Sequence, residues 1–128
     1  MQNALVLMKP DVYERGIQQE ILNGIDKLPL SLREQFKVAF TPEGVFELWP
    51  RIYGWRWTDS LMRDFPTRPL DVYVFKGENA IKVIIEFKDA LRERRGQINS
   101  YRNMLHSPDN QSAFEREYSY LSSIKVSR

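Results

Sequence analysis

The stretch "ALVLMKPDVYERGIQQEI", Ala4 to Ile21, decides how the rest of the chain is read. It opens with an unbroken apolar run, Ala4 to Met8, closed by Lys9-Pro10-Asp11. Such a run suits a strand buried on both faces, ending where proline has no N–H to donate. From Val12 the period changes. Ile17, Ile21 and Ile25, with Leu22 beside them, recur on one helical face, while Glu14, Gln18, Gln19 and Asn23 point elsewhere. The chain therefore begins as strand, then amphipathic helix, with Asp11 expected as the N-cap.

Working outward, Pro29 closes that helix and "QFKVAF" (Gln35 to Phe40) alternates as a second strand. Thr41-Pro42-Glu43 reads as a helix start, and the aromatic stretch that follows, broken by Pro50 and Gly54, fits two short helices. "LDVYVFK" (Leu70 to Lys76) is the clearest strand, dense in valine and aromatics. Glu78 to Leu91 is expected as an amphipathic helix with Ala80, Ile84, Phe87 and Leu91 on one line, its end marked by "RERRG". The segment around His106 reads as a strand, Ser107-Pro108-Asp109 as the next helix start, and Phe114, Tyr118 and Leu121 as that helix's apolar face. The tail "SSIKVSR" is expected to add a short strand. The order β-α-β-(α)-β-α-β-α predicts one domain over 1–128: an α+β sandwich of ferredoxin-like type, an antiparallel sheet with helices on one face.

Composition narrows function. With 42% apolar and 28% charged residues, the 128-residue chain has a globular composition, and a net charge of +2 gives no basic field directed at nucleic acid. The absence of cysteine excludes disulfides, thiolate catalysis and cysteine-ligated metals, and a single histidine excludes a multi-histidine metal site within one chain. The N-terminus lacks the basic and apolar pattern of a secretory signal, and no apolar run approaches the roughly 20 residues that span a bilayer, so a cytoplasmic location is expected.

Four features carry candidate chemistry. His106 precedes a helix N-terminus, where free N–H groups favour an anion; it is either a phosphoryl-accepting imidazole or an ordinary strand-end residue. A nucleophilic histidine needs an acceptor for its other N–H, and Glu117 is in range if its helix folds back. Lys9 sits at a strand tip, where phosphate ligands gather, or is a solvated lysine. Arg92, Arg94 and Arg95 either close a helix or supply bidentate donors to polyphosphate. Trp49, Tyr53, Trp55 and Trp57 either stack a base or pack a core. No glycine-rich phosphate loop of either common pattern occurs.

Three segments in register resemble the nucleoside diphosphate kinase family. "LVLMKPDVYERGIQQEI" (Leu5 to Ile21) is similar to the family's opening strand, Lys-Pro-Asp turn and Arg-Gly. "VYVFKGENAIK" (Val72 to Lys82) matches its strand and Gly-Glu-Asn-Ala helix start, and "RNMLHSPDNQSAFERE" (Arg102 to Glu117) its histidine segment and following helix. The resemblance implies a γ-phosphoryl carried from a nucleoside triphosphate to a nucleoside diphosphate on the imidazole of His106. It further implies Lys9 on the phosphates, Asn103 on the sugar and phosphate region, Glu117 orienting the imidazole, and Asp109 on the motif's aspartate. Leu61, Trp57 and Tyr53 would form the base platform, and Arg95-Gly96 best matches the family's Arg-Gly. Magnesium would arrive on the nucleotide, bound by phosphate oxygens, with no metal site built from protein.

The chain departs from the family pattern in three places. Pro108 replaces a serine that orients the glutamate, with Ser107 one residue away. Ile85 stands where the family has a phosphate-binding arginine. The following segment is shortened to "ALRERRGQINS"; its counterpart helps build family hexamers, so a homo-oligomer of at least two chains is the assembly expected. The leading reading is an enzyme working through phospho-His106. The alternative is a weak or inactive member of the fold that binds nucleotide or a protein partner.

Overall fold

The computed structural model describes residues 1–99 and 101–126. Four strands, β1 (Gln2–Met8), β2 (Ser31–Val38), β3 (Leu70–Gly77) and β4 (Leu105–His106), form one sheet in the order β2-β3-β1-β4. Every pairing is antiparallel. Six helices connect them: α1 (Pro10–Arg15), α2 (Gln18–Asp26), α3 (Val45–Leu48), α4 (Thr58–Asp64), α5 (Ala80–Arg95) and α6 (Gln111–Ser123). This is the ferredoxin-like α+β sandwich expected from the element order.

Register explains how the layers assemble. Leu5 pairs with Val74, Leu7 with both Val72 and His106, and Phe36 with Val72, so alternation puts these side chains on one face. Ala4, Val6, Tyr73 and Phe75 take the other. On the His106 face lies α6, whose Tyr118 meets Phe36 edge-on at 6.5 Å and donates its hydroxyl to Glu34 at 2.6 Å. On the opposite face lie α1 and α2, held where Tyr13 and Gln18 donate to the buried Asp71 carboxylate at 2.6 and 2.9 Å. Helix α5 packs beside α2, where Gly24 lies so close to Phe87 that an added Cβ would come within 2.7 Å of the ring. Helices thus cover both faces rather than one. The apolar run from Ala4 to Met8 requires this, since those residues are at most 1% exposed on either side of the central strand.

Several boundaries move for local reasons. The first helix breaks at Gly16, which takes the left-handed conformation (φ 66°), so α1 and α2 are separate. The second strand starts earlier than expected and ends at Val38. Thr41-Pro42-Glu43 opens a 3-10 turn, Pro42–Gly44, that runs into α3. The last helix is capped by Asn110, whose side chain accepts the Ala113 N–H at 2.8 Å, rather than beginning at Ser107. The tail contributes a single antiparallel bridge, Lys125 to Val38; residues 127 and 128 lie outside the described residues.

Candidate active site

Lys9 is the junction between β1 and α1, and its backbone N–H donates to the Met104 carbonyl at 2.9 Å. That bond clamps the strand tip to the segment preceding β4. The side chain turns inward and is 5% exposed, with Nζ donating to Asn103 Oδ1 at 2.6 Å and to the Tyr101 carbonyl at 3.3 Å. Burial pulls the ammonium pKa from 10.5 to about 7; the Arg92 and Lys88 charges act in the same direction, against Asp11. Asp11 itself does not cap α1, since Lys9 holds the N-cap position and no side chain bonds there. Its carboxylate instead accepts the N–H of Met104 at 3.1 Å, fixing a residue held at φ 78°. Burial raises the Asp11 carboxyl pKa, with Lys9 opposing.

His106 stands at the end of β4, registered against Leu7. Glu117 projects from the buried line of α6, between Phe114 and Leu121, and is 3% exposed. Its Oε1 lies 2.7 Å from His106 Nε2. Because an ionised carboxylate only accepts, that contact places the imidazole proton on Nε2 and leaves the lone pair on Nδ1. Burial lowers the imidazole pKa below 6.5, with Glu117 opposing, so the ring is neutral at pH 7. The edge of Trp49 packs against the ring at 4.9 Å between centroids. The other oxygen of Glu117 accepts from Arg116 at 3.2 Å. A guanidinium thus occupies the role expected of a serine hydroxyl, and Ser107 Oγ finds no partner among the described residues.

Lys9, Asn103 and His106 open onto one cavity of about 330 Å³, with Leu61 and Tyr101 along its apolar wall. Two further cations reach it from α5, Lys88 and Arg92, one helical turn apart. Arg92 donates to the Asn103 and Leu105 carbonyls at 3.1 and 2.8 Å, binding the short α5–β4 connection to the helix. The structure brings together Lys9, Asn103, His106, Glu117 and Leu61, and it leaves three expected residues outside. Arg95, the last residue of α5 and two turns beyond Lys88, lies past the cavity and pairs with Glu20 on α2. Tyr53 is 74% exposed and stacks on Phe46 at 4.0 Å. Trp57 sits behind the wall, its ring 5.5 Å from that of Tyr101.

Lys88 is the residue that sequence reasoning missed. The buried line of α5 runs Ala80, Ile84, Lys88, Leu91, not through Phe87. The signal was present: a lysine four residues after Ile84 interrupts an apolar line with a charge. The donor set bears on magnesium too. Among the described residues no cluster of three histidine, cysteine or carboxylate groups exists, and the cavity's charged lining is Lys9, Lys88 and Arg92 with one carboxylate, Asp109. Such a lining is net positive and suits an anionic ligand. Among the described residues no helix is long and apolar enough to cross a membrane.

Comparison with known proteins agrees with this architecture. A curated nucleoside diphosphate kinase of Glaesserella parasuis is 24% identical over 129 residues, covering 94% of each chain. One from Ignicoccus hospitalis is 26% identical, covering 93% of this chain and 87% of that one. Among solved structures, the nucleoside diphosphate kinase of Aquifex aeolicus superposes with a TM-score of 0.79 at 20% identity, over 98% of this chain and 99% of that one. A halophilic nucleoside diphosphate kinase from Halobacterium salinarum, solved in complex with CDP, gives 0.76 at 21% identity, over 99% and 92%. The family model for nucleoside diphosphate kinase matches residues 2–124, and the chain belongs to the nucleoside diphosphate kinase family, a family of enzymes.

Proposed function

We propose that this enzyme moves the γ-phosphoryl of a nucleoside triphosphate to a nucleoside diphosphate through phospho-His106. The observation that carries this reading is the His106 Nε2–Glu117 contact at 2.7 Å inside a cation-lined cavity. Glu117 holds the ring in one tautomer and offsets the positive charge that grows on it as Nδ1 attacks. Lys9 and Arg92 face the phosphates, and Asn103, fixed by Lys9, faces the sugar and phosphate region. Leu61 and Tyr101 offer the apolar surface for the base. Bound to the nucleotide, magnesium neutralises part of the phosphate charge. The nucleophile is neutral at working pH, so no proton has to leave before attack.

Incubation with γ-labelled ATP and magnesium should give a base-stable, acid-labile phosphoprotein, and His106→Ala should abolish it. Label persisting in His106→Ala would remove the nucleophile assignment. Nucleotide binding without any label would turn the reading to a binding module. Association of at least two chains in the cytoplasm belongs to the same proposal, supported by the edge strand β2, which the tail bridges at its Val38 end and where Leu32 is 54% exposed. Sedimentation as a monomer would remove that part.

A further inference from the structure

Two polar groups that line the cavity make no hydrogen bond among the described residues. Lys88 is only 9% exposed, and its ammonium makes no hydrogen bond or ion pair among the described residues. The carboxylates of Asp89, Asp109 and Glu117 act on it only at longer range. Ser107 is 4% exposed, and its Oγ is likewise unpartnered. Both line the cavity that His106 enters, and Ser107 is the next residue in the chain. A hydroxyl buried without a partner is unfavourable unless something else supplies an acceptor, and an ammonium opening onto the same cavity draws an anionic one. A phosphoryl group on the imidazole would bring three acceptor oxygens into that space.

We propose that Lys88 Nζ and Ser107 Oγ hold the phosphoryl group as it passes onto His106, supplying from one turn further along α5 the cation that Ile85 does not. The inference rests on the phosphotransfer reading above. In the step itself the Nδ1 lone pair forms the N–P bond. The bond from the γ-phosphorus to the bridging oxygen breaks, and its electron pair leaves with the nucleoside diphosphate. The Nε2 proton stays in its bond to Glu117. Lys88 and Ser107 donate only to non-bridging oxygens, so they stabilise charge and transfer no proton.

Single-turnover rapid-quench measurement with saturating γ-labelled ATP and magnesium separates the possibilities. Lys88→Met should slow phosphorylation of His106 by about 10- to 100-fold, the value of one charge-assisted hydrogen bond. The dissociation constant for ADP should change by less than about threefold, because the contact forms at the transferring group. Lys88→Arg should recover most of the rate, and Ser107→Ala should lose about two- to tenfold. Thermal melting of Lys88→Met should match or exceed that of the native chain, since an apolar side chain replaces a buried charge. Should that variant not fold, Lys88→Gln and Ser107→Ala carry the same comparison. A native rate in Lys88→Met or Lys88→Gln, or a loss confined to nucleotide affinity, overturns the inference while leaving phospho-His106 intact. An unlabelled native protein would remove the phosphotransfer reading, and this inference with it.

Discussion

Nucleotide should change the ionisation of Lys9 more than that of any other group in the cavity. Burial holds its ammonium at about 7 instead of 10.5, so about half of the charge is missing at neutral pH in the ligand-free chain. The shift corresponds to roughly 5 kcal/mol between the charged and neutral forms. Of the charges acting on it, Arg92 and Lys88 resist protonation and Asp11 favours it. Phosphate oxygens arriving at Nζ add negative charge and raise the pKa again, so binding takes up a proton above pH 7. Affinity for ADP should therefore fall by about tenfold per pH unit between about pH 7.5 and 8.5, where the nucleotide's own phosphate ionisation near 6 is complete. Titration calorimetry in buffers of different ionisation heat reads the proton uptake directly, and Lys9→Met should flatten the dependence. The sign for stability runs the other way. An unfolded lysine keeps its proton up to 10.5, so the ligand-free fold becomes more stable as pH rises from about 7 through that window. ADP affinity constant from pH 7.5 to 8.5, with no proton taken up, would refute the placement of Lys9 on the phosphates.

Glu117→Gln keeps an acceptor for His106 Nε2 but removes its charge, which should slow phosphorylation by about 5- to 30-fold in single-turnover measurements. Burial already places the imidazole pKa below 6.5, and Glu117 is the group that raises it. The acid limb of the native rate profile should thus lie below pH 6.5, and the Gln variant's limb lower still; a limb moving upward would count against this pairing. Ile84→Ala, on the buried line of α5 at 1% exposure, should cost about 2–5 kcal/mol in denaturant unfolding. A loss under about 1 kcal/mol would mean that this face of α5 is not packed as described.

What could be read in the sequence was what is local in it. A five-residue apolar run can be buried on both sides wherever it lies, and Lys-Pro-Asp ends a strand by its own chemistry. Glu117 was legible as a partner of His106 because it lies on the next helix, whereas Asn103 followed from the resemblance of its segment to the family. What failed depended on phase and on cancellation of large terms. The choice among Arg92, Arg94 and Arg95 turns on rotation and rise along α5 together, about 100° and 1.5 Å per residue, which pattern matching at a shortened loop cannot fix. Gly16 breaks the first helix although Ile17, Ile21 and Ile25 after it keep helical spacing. Lys88 escaped because a lysine on a helix is ordinarily solvated, and only its neighbours in space make it buried.

Arg92 links the shortened connection to the chemistry. The described residues between α5 and β4 lie outside helix and strand, and two of the carbonyls near β4 find their donor in the Arg92 guanidinium. Lys9 and Asp11 clamp Met104 from the other side through its carbonyl and N–H. The groups that line the phosphate end of the cavity therefore also shape the segment that delivers Asn103 and His106. Arg15 holds the start of the connection through the Gly96 carbonyl and Tyr101 ties its middle to Asp64, while Arg92 anchors its β4 end before any nucleotide binds. That dual demand gives a physical reason why the chain can carry an apolar residue at Ile85. Once Arg92 has been drawn inward to hold the loop, Lys88 one turn earlier faces the same cavity, and the phosphate site regains its positive charge from a different part of the same helix.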